Sequence, residues 1–269
     1  DLIVGAKTGS LNLLLYSVFR IGSPTDNISW QAYRDIADSD DVAWAIPISL
    51  GDSHEGYRVV GTTQAFFEHF SFGKKRNLAF FEGEAFERTF DAVLGSEVAS
   101  ALGYSVGTEI ILAHGLASTS FTKHDNQPFV VVGILAPTGT PVDQTIHVRL
   151  EGIEAMHAGG STVPIGAFAP ANAPDTDFSE PESITAFMLG LKSRMSTFNV
   201  QRQINQFAGE PLMAILPGVA LSELWQMMSM FENVLRLISA LVLLAAVLGM
   251  GAVLLASIRE RRQEIHLLR

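Results

Sequence analysis

The sequence predicts an α+β protein: a mixed α/β subdomain carrying a β-rich insertion, followed by one long transmembrane α-helix. Three observations predict it. Short β-prone runs alternate with short helical patterns through most of the chain, and the style of the first block returns after a β-rich middle. The third observation is the run LISALVLLAAVLGMGAVLLASI at residues 237–258, 22 positions without one charge. As a helix it reaches roughly 33 Å at about 1.5 Å per residue, enough to cross a bilayer core of about 30 Å. Arg259, Glu260, Arg261 and Arg262 follow at once, and such a basic flank belongs on the cytoplasmic side. The residues before about 235 are therefore expected outside the inner membrane.

Taken in order, residues 2–6 form a β-prone run and 11–19 an apolar stretch, broken by Ser23-Pro24-Thr25-Asp26-Asn27. Ser29 is placed to cap a helix through Asp38, with Trp30, Tyr33 and Ile36 at helical spacing. Residues 42–50 and 57–62 read as strands joined by Gly51-Asp52-Ser53-His54, and 64–70 as a short aromatic helix. A second block opens near Arg76. It holds strands at 92–94, 108–112, 129–135 and 145–148, a helix from 96 to 102 capped by Ser96, and a helix at 150–157. A polar loop spans 115–128, and a Pro-, Ala- and acid-rich connection spans 164–181. A strand at 184–192, a helix from Ser196 to Phe207 and a strand at 212–216 complete the domain, ended by Pro217-Gly218. From Leu221 onward only Gly249 and Gly251 interrupt the helical pattern, and membrane helices tolerate both. The expected division is a domain at 1–218, in which 25–75 pairs with 182–217 and 76–181 is the insertion. A stalk and membrane helix follow at 219–258, then a cytoplasmic segment at 259–269.

Charge narrows the function. Before Arg259 the chain holds 26 acidic and 14 basic residues, a formal −12. That exterior offers no basic face for nucleic acid. Cysteine is absent, which excludes disulfides, thiolate metal sites and a thiol nucleophile. Asp1 opens directly on LIVGAKTGS without a secretory pattern. An exterior N-terminal region then implies a membrane helix upstream of Asp1.

The segment SIRERRQEIHLLR, directly after an apolar span, resembles the cytoplasmic turn of FtsX-like permeases, including the MacB and LolC/LolE exporters. Arg259, Arg261, Arg262, Glu264, Ile265, Leu267, Leu268 and Arg269 fall into that pattern, with His266 where the family often has Gly. DLIVGAKTGS, VVGT at 59–62, VLGS at 93–96 and FVVVGIL at 129–135 resemble the family's periplasmic domain. The resemblance implies a permease subunit of a mechanotransmission-type ABC transporter, itself no enzyme. A partner ATPase would bind ATP below it, and this chain would bind no cofactor. Expected partners are that cytoplasmic ATPase, a second permease copy or paralogue, membrane lipid and a periplasmic protein. Arg259, Arg261, Arg262, Glu264, Leu267 and Leu268 would meet the ATPase. No G-x-x-x-x-G-K-[ST] loop is present to cradle phosphates.

Other constellations carry less. His114, His124, Asp125, Asp143, His147 and His157 would suit zinc if they converged, but none has the tight spacing that predicts convergence, so no metal site is expected. Ser53 and Ser96 lie in Gly-containing turns that are not G-x-S-x-G elbows, so no catalytic serine is expected. Phe66, Phe67, Phe70, Phe72, Phe80, Phe81, Phe86 and Phe90 are dense enough to fill a junction between subdomains or to form a contact surface. The alternative function is a membrane-anchored periplasmic module that binds a ligand or metal and signals inward.

Overall fold

The computed structural model describes residues 1–114, 128–158 and 180–267. Apart from Pro128, Glu180 and Pro181, the expected polar loop and acidic connection lie outside these residues, as do His124, Asp125, Leu268 and Arg269.

The elements run β1 (Leu2–Ala6), α1 (Ser10–Ser17), β2 (Ile28–Ser29), α2 (Trp30–Ala37), β3 (Val42–His54), β4 (Tyr57–Thr62) and α3 (Ala65–His69). Next come β5 (Ser71–Phe72), β6 (Arg76–Asn77), β7 (Phe80–Gly83), β8 (Asp91–Leu94), α4 (Ser96–Leu102), β9 (Glu109–Ile110) and β10 (Ala113–His114). The last are β11 (Phe129–Leu135), β12 (Thr145–Arg149), α5 (Leu150–Ala158), β13 (Ser183–Ile184), β14 (Ala186–Leu191), α6 (Thr197–Asn205), β15 (Leu212–Ile215) and α7 (Pro217–Leu267). Residues 1–220 form one compact unit and residues 221–269 another.

One mixed sheet organises the first unit, in the order β15-β1-β14-β3-β4-β12-β8-β11-β7, with β10 added to β3 and β9 to β11. The pairs β4–β12 and β8–β11 are parallel; the other ladders are antiparallel. The long strand β3 joins the two halves. Its first part, Val42–Ile48, pairs with β14, and its last part pairs with β4 across an irregularity between Leu50 and Ser53. On one side Leu2, Val4, Phe187, Leu189 and Ala214 pack against Ala32, Tyr33 and Ile36 of α2 and Val200 and Ile204 of α6. In the half of the sheet beyond β3, Val59, Leu94, Phe129, Ile146 and Val148 pack against Val98 of α4 and Ile153 and Met156 of α5. Each fully buried Phe or Leu of these cores stabilises the fold by about 1.5–3 kcal/mol.

Three local expectations are corrected. Strand β3 does not stop at Leu50: Asp52 and Ser53 pair with His114 and Ala113 of β10, and the turn falls at Glu55-Gly56. Both turn residues have positive φ, 48° and 85°, the backbone a two-residue type I′ hairpin requires. Ser96 is the first helical residue of α4, and Gly95 is its N-cap. Pro217 does not only end β15. It opens α7, where its missing N–H costs nothing. Ser29 caps α2 as expected, accepting from the Ala32 N–H at 3.2 Å.

Gly95 sits where no side chain fits. A Cβ there would lie 2.2 Å from the Val142 carbonyl oxygen and 2.4 Å from that of Asp143, both backbone atoms. Its N–H also donates to the Thr145 carbonyl at 2.9 Å, so the glycine cannot retreat. Gly95→Ala is expected to cost about 3 kcal/mol or more. Chemical denaturation of the purified chain measures it, and a midpoint equal to the parent's refutes it.

Candidate functional site

Helix α7 is the feature around which a function can be built. It runs 51 residues from Pro217 to Leu267 without a break, about 76 Å at 1.5 Å per residue. Within residues 217–259 lies a window of mean hydropathy 2.6, none of it buried against protein. Leu237, Leu241, Leu244, Leu248, Leu255 and Ile258 all show most of their side chain to the surroundings. A soluble core helix would cover these residues, and lipid satisfies them instead. Space around Gly249 and Gly251 is open, with nothing within 4 Å of where a Cβ would stand. A neighbouring helix can approach closely there. Arg236, just before the apolar run, donates to Glu232 one turn earlier at 2.5 Å. That exposed i,i+4 pair is worth only a few tenths of a kcal/mol.

Of the expected coupling residues, the helix carries Arg259, Arg261, Arg262, Glu264 and Leu267, and Arg259 is exposed. They share one element because a single helical run holds them; Leu268 lies outside the described residues.

The second feature is one face of the sheet. On β12, Ile146 and Val148 point into a core. By alternation Thr145, His147 and Arg149 share the opposite face. Register places them beside Arg58, Val60 and Thr62 of β4. His147 is fully buried, its ring stacked 4.8 Å from Phe66 and edge-on to Phe67. Neither of its ring nitrogens makes a hydrogen bond of full geometry, the Val93 backbone offering only a weak one. Burial pushes it down to about 3 and the Arg20 guanidinium pushes the same way, while the Val93 backbone acts against them. It is therefore a neutral core histidine.

Two other histidines among the described residues have partners of their own. His54 bonds the Ile111 carbonyl at 2.6 Å and the Tyr104 hydroxyl at 3.0 Å, and His69 stacks on Trp44. His114 belongs to β10 and His157 to α5. Asp143 is committed elsewhere: its carboxylate accepts from the Thr138 and Gly139 N–H groups at 2.9 and 2.7 Å. Among the described residues no three His, Asp or Glu side chains could hold one metal ion. The phenylalanines divide. Phe66, Phe67 and Phe86 are buried and form a contiguous ring cluster, whereas Phe81 is 76% exposed.

Two clefts open on the first unit. A shallow one of about 580 Å³ is lined by Thr63, Gln64, Ala65, Glu87, Arg149 and Glu151. Its cation is already paired, with Arg149 at 3.2 Å from Glu151. The other, about 290 Å³, lies between the end of α1, the start of β4 and the turn before β12. Sequence reasoning missed it, because Arg20 and Arg58 stand 38 positions apart and neither belongs to a motif.

The fold and the helix together define a membrane-anchored protein with an extracytoplasmic α/β domain at its N-terminal side. Residues 5–207 match the model of the MacB-like periplasmic core domain, and the chain belongs to that family. This places it among the MacB- and FtsX-like ABC transporter permeases. The fold is similar to the crystal structure of the periplasmic region of MacB from Actinobacillus actinomycetemcomitans. The TM-score is 0.51 at 8% identity, covering 83% of this chain and 91% of that one. The extracellular domain of the noncanonic ABC-type transporter YknZ from Gram-positive bacteria gives a TM-score of 0.46 at 10% identity, covering 80% of this chain and 100% of that one. A comparison with curated proteins finds no match. A periplasmic-type domain followed by the apolar helix is the order of an inner-membrane protein.

Proposed function

We propose that this chain is the permease subunit of a mechanotransmission-type ABC transporter. It couples ATP hydrolysis by a partner ATPase in the cytoplasm to export or other work in the periplasm. The observation that carries the reading is the uninterrupted helix from Pro217 to Leu267. A helix resists stretching because each turn is closed by backbone hydrogen bonds, so a displacement at one end is delivered at the other. In this reading residues 1–218 are the periplasmic core, 219–258 the stalk and membrane helix, and 259–269 the start of the coupling segment. Arg259, Arg261, Arg262, Glu264, Leu267 and Leu268 meet the ATPase, apolar anchors among charges suiting a groove on a partner. The open Gly249–Gly251 step faces a second permease copy or paralogue.

Two variants test it. Glu264→Arg with Leu267→Asp is expected to reduce copurification of the ATPase at least about tenfold, the loss of roughly 1.4 kcal/mol of binding. The periplasmic domain should keep its near-UV circular dichroism. Three glycines inserted after Glu232 should leave the ATPase bound but abolish transport, because the stalk no longer transmits displacement. Undiminished copurification in the first case, or full transport in the second, would falsify the assignment.

A further inference from the structure

The smaller cleft stands apart from the rest of this acidic domain. Its nine lining residues are Phe19, Arg20, Ile21, Gly56, Tyr57, Arg58, Pro141, Gln144 and Thr145, two cations and no acid in a segment with 26 acids to 14 bases. Arg20 donates to the Ser17 carbonyl at the end of α1 and Arg58 to the Gly22 carbonyl in the turn that follows it. Neither forms an ion pair with a carboxylate among the described residues, although Arg34, Arg149 and Arg236 each do. The two cations also feel one another. Burial first and Arg58 second lower Arg20 to about 10, and burial lowers Arg58.

Placing them there is costly. Arg20 has a φ of 60°, left-handed backbone that a residue with a Cβ adopts only under constraint. The opposite wall is rigid, because the Asp143 carboxylate ties down the 138–140 turn and Thr145 donates to the Pro141 carbonyl at 2.8 Å. Gln144 is engaged outward, its amide donating to Glu97 at 3.0 Å. The remaining lining is apolar, with Ile21 59% exposed beside Phe19, Tyr57 and Pro141.

We infer that this cleft is a binding site for a small oxyanion carried on an apolar body, the anion between Arg20 and Arg58 and the body against Phe19, Ile21, Tyr57 and Pro141. Guanidinium forks match carboxylate and phosphate oxygens bidentately, and such bonds are about twice as strong as neutral ones. The volume suits one ring or short chain with its headgroup, at the small end of ligand pockets. Phosphate monoesters and carboxylates share this chemistry.

Calorimetric titration of the full chain in a neutral detergent, with phenyl phosphate and with phenylacetate as probes, tests the site. Saturable binding of at least one probe is expected, with Kd of about 1 mM or tighter. Arg58→Gln is expected to weaken it tenfold or more, and Arg34→Gln, which alters an exposed pair elsewhere, to leave it unchanged. Arg20→Gln should act like Arg58→Gln; should it unfold, Arg58→Gln and the milder Arg58→Lys decide. The inference is overturned if neither probe saturates by about 10 mM, or if Arg58→Gln binds as tightly as the parent.

Discussion

The pair Leu244→Lys and Leu248→Lys is expected to leave the apolar helix outside the bilayer. Both residues lie near the middle of the uncharged run, and both are exposed along α7. A lysine at the centre of a membrane helix costs about 2.5–3.5 kcal/mol on the insertion scale, and each leucine removed forfeits a few tenths more. Two such changes, one helical turn apart, exceed what snorkelling recovers, since neither ammonium can reach an interface from mid-span. The reading is topological. Alkaline phosphatase fused after Arg269 should be inactive in the exported parent, where the basic flank holds the fusion in the cytoplasm. It should become active in the variant, whose fusion stays outside. Equal, low phosphatase activity in both would show that residues 237–258 do not cross the membrane by virtue of their apolarity.

Acid should unfold the extracytoplasmic domain through His147. The ring is neutral in the folded domain and pushed down to about 3, burial being the main cause and Arg20 the second. In the unfolded chain it titrates near its ordinary value of about 6.5. Between those values the unfolded state binds more protons than the folded state, so stability rises with pH there. The folded state therefore keeps its full stability above about pH 6.5 and loses it as pH falls toward 3, at up to about 1.4 kcal/mol per pH unit. Domains are stable by only about 5–15 kcal/mol, so this one group removes a large share. His147→Leu should flatten that slope. It should also hold or raise stability at pH 7, because two buried and poorly satisfied nitrogens disappear. Thermal unfolding of parent and variant from pH 3.5 to 8, followed by near-UV circular dichroism, reads the difference. Parallel curves would mean that other groups carry the acid sensitivity.

How much of this was legible beforehand follows from what is local. Strand β11 is a run of β-branched residues and was expected at its observed bounds, 129–135; α2 was expected from its cap and its apolar spacing. Strand β7 was not, because Phe80–Gly83 has no alternation and is held by β11 on one side. The overrun of β3 past Leu50 was hidden for the same reason. Gly51-Asp52-Ser53-His54 has turn composition, and the partners that keep it extended come from β4 and from the strand β10, some sixty positions later.

The sites divide along the same line. A 22-residue stretch without charge, and the arginines after it, state their solvent and their orientation in consecutive residues, because transfer into lipid depends on composition alone. The membrane helix, its direction and its basic flank were therefore determined by the sequence. Tertiary structure alone decided that His147 is a sealed core residue and that Arg20 and Arg58 meet without an acid between them. Those facts depend on a parallel ladder between β4 and β12 and on a turn folded over it. Burial and charge proximity are properties of chain segments brought together from afar, and no spacing along a single stretch encodes them.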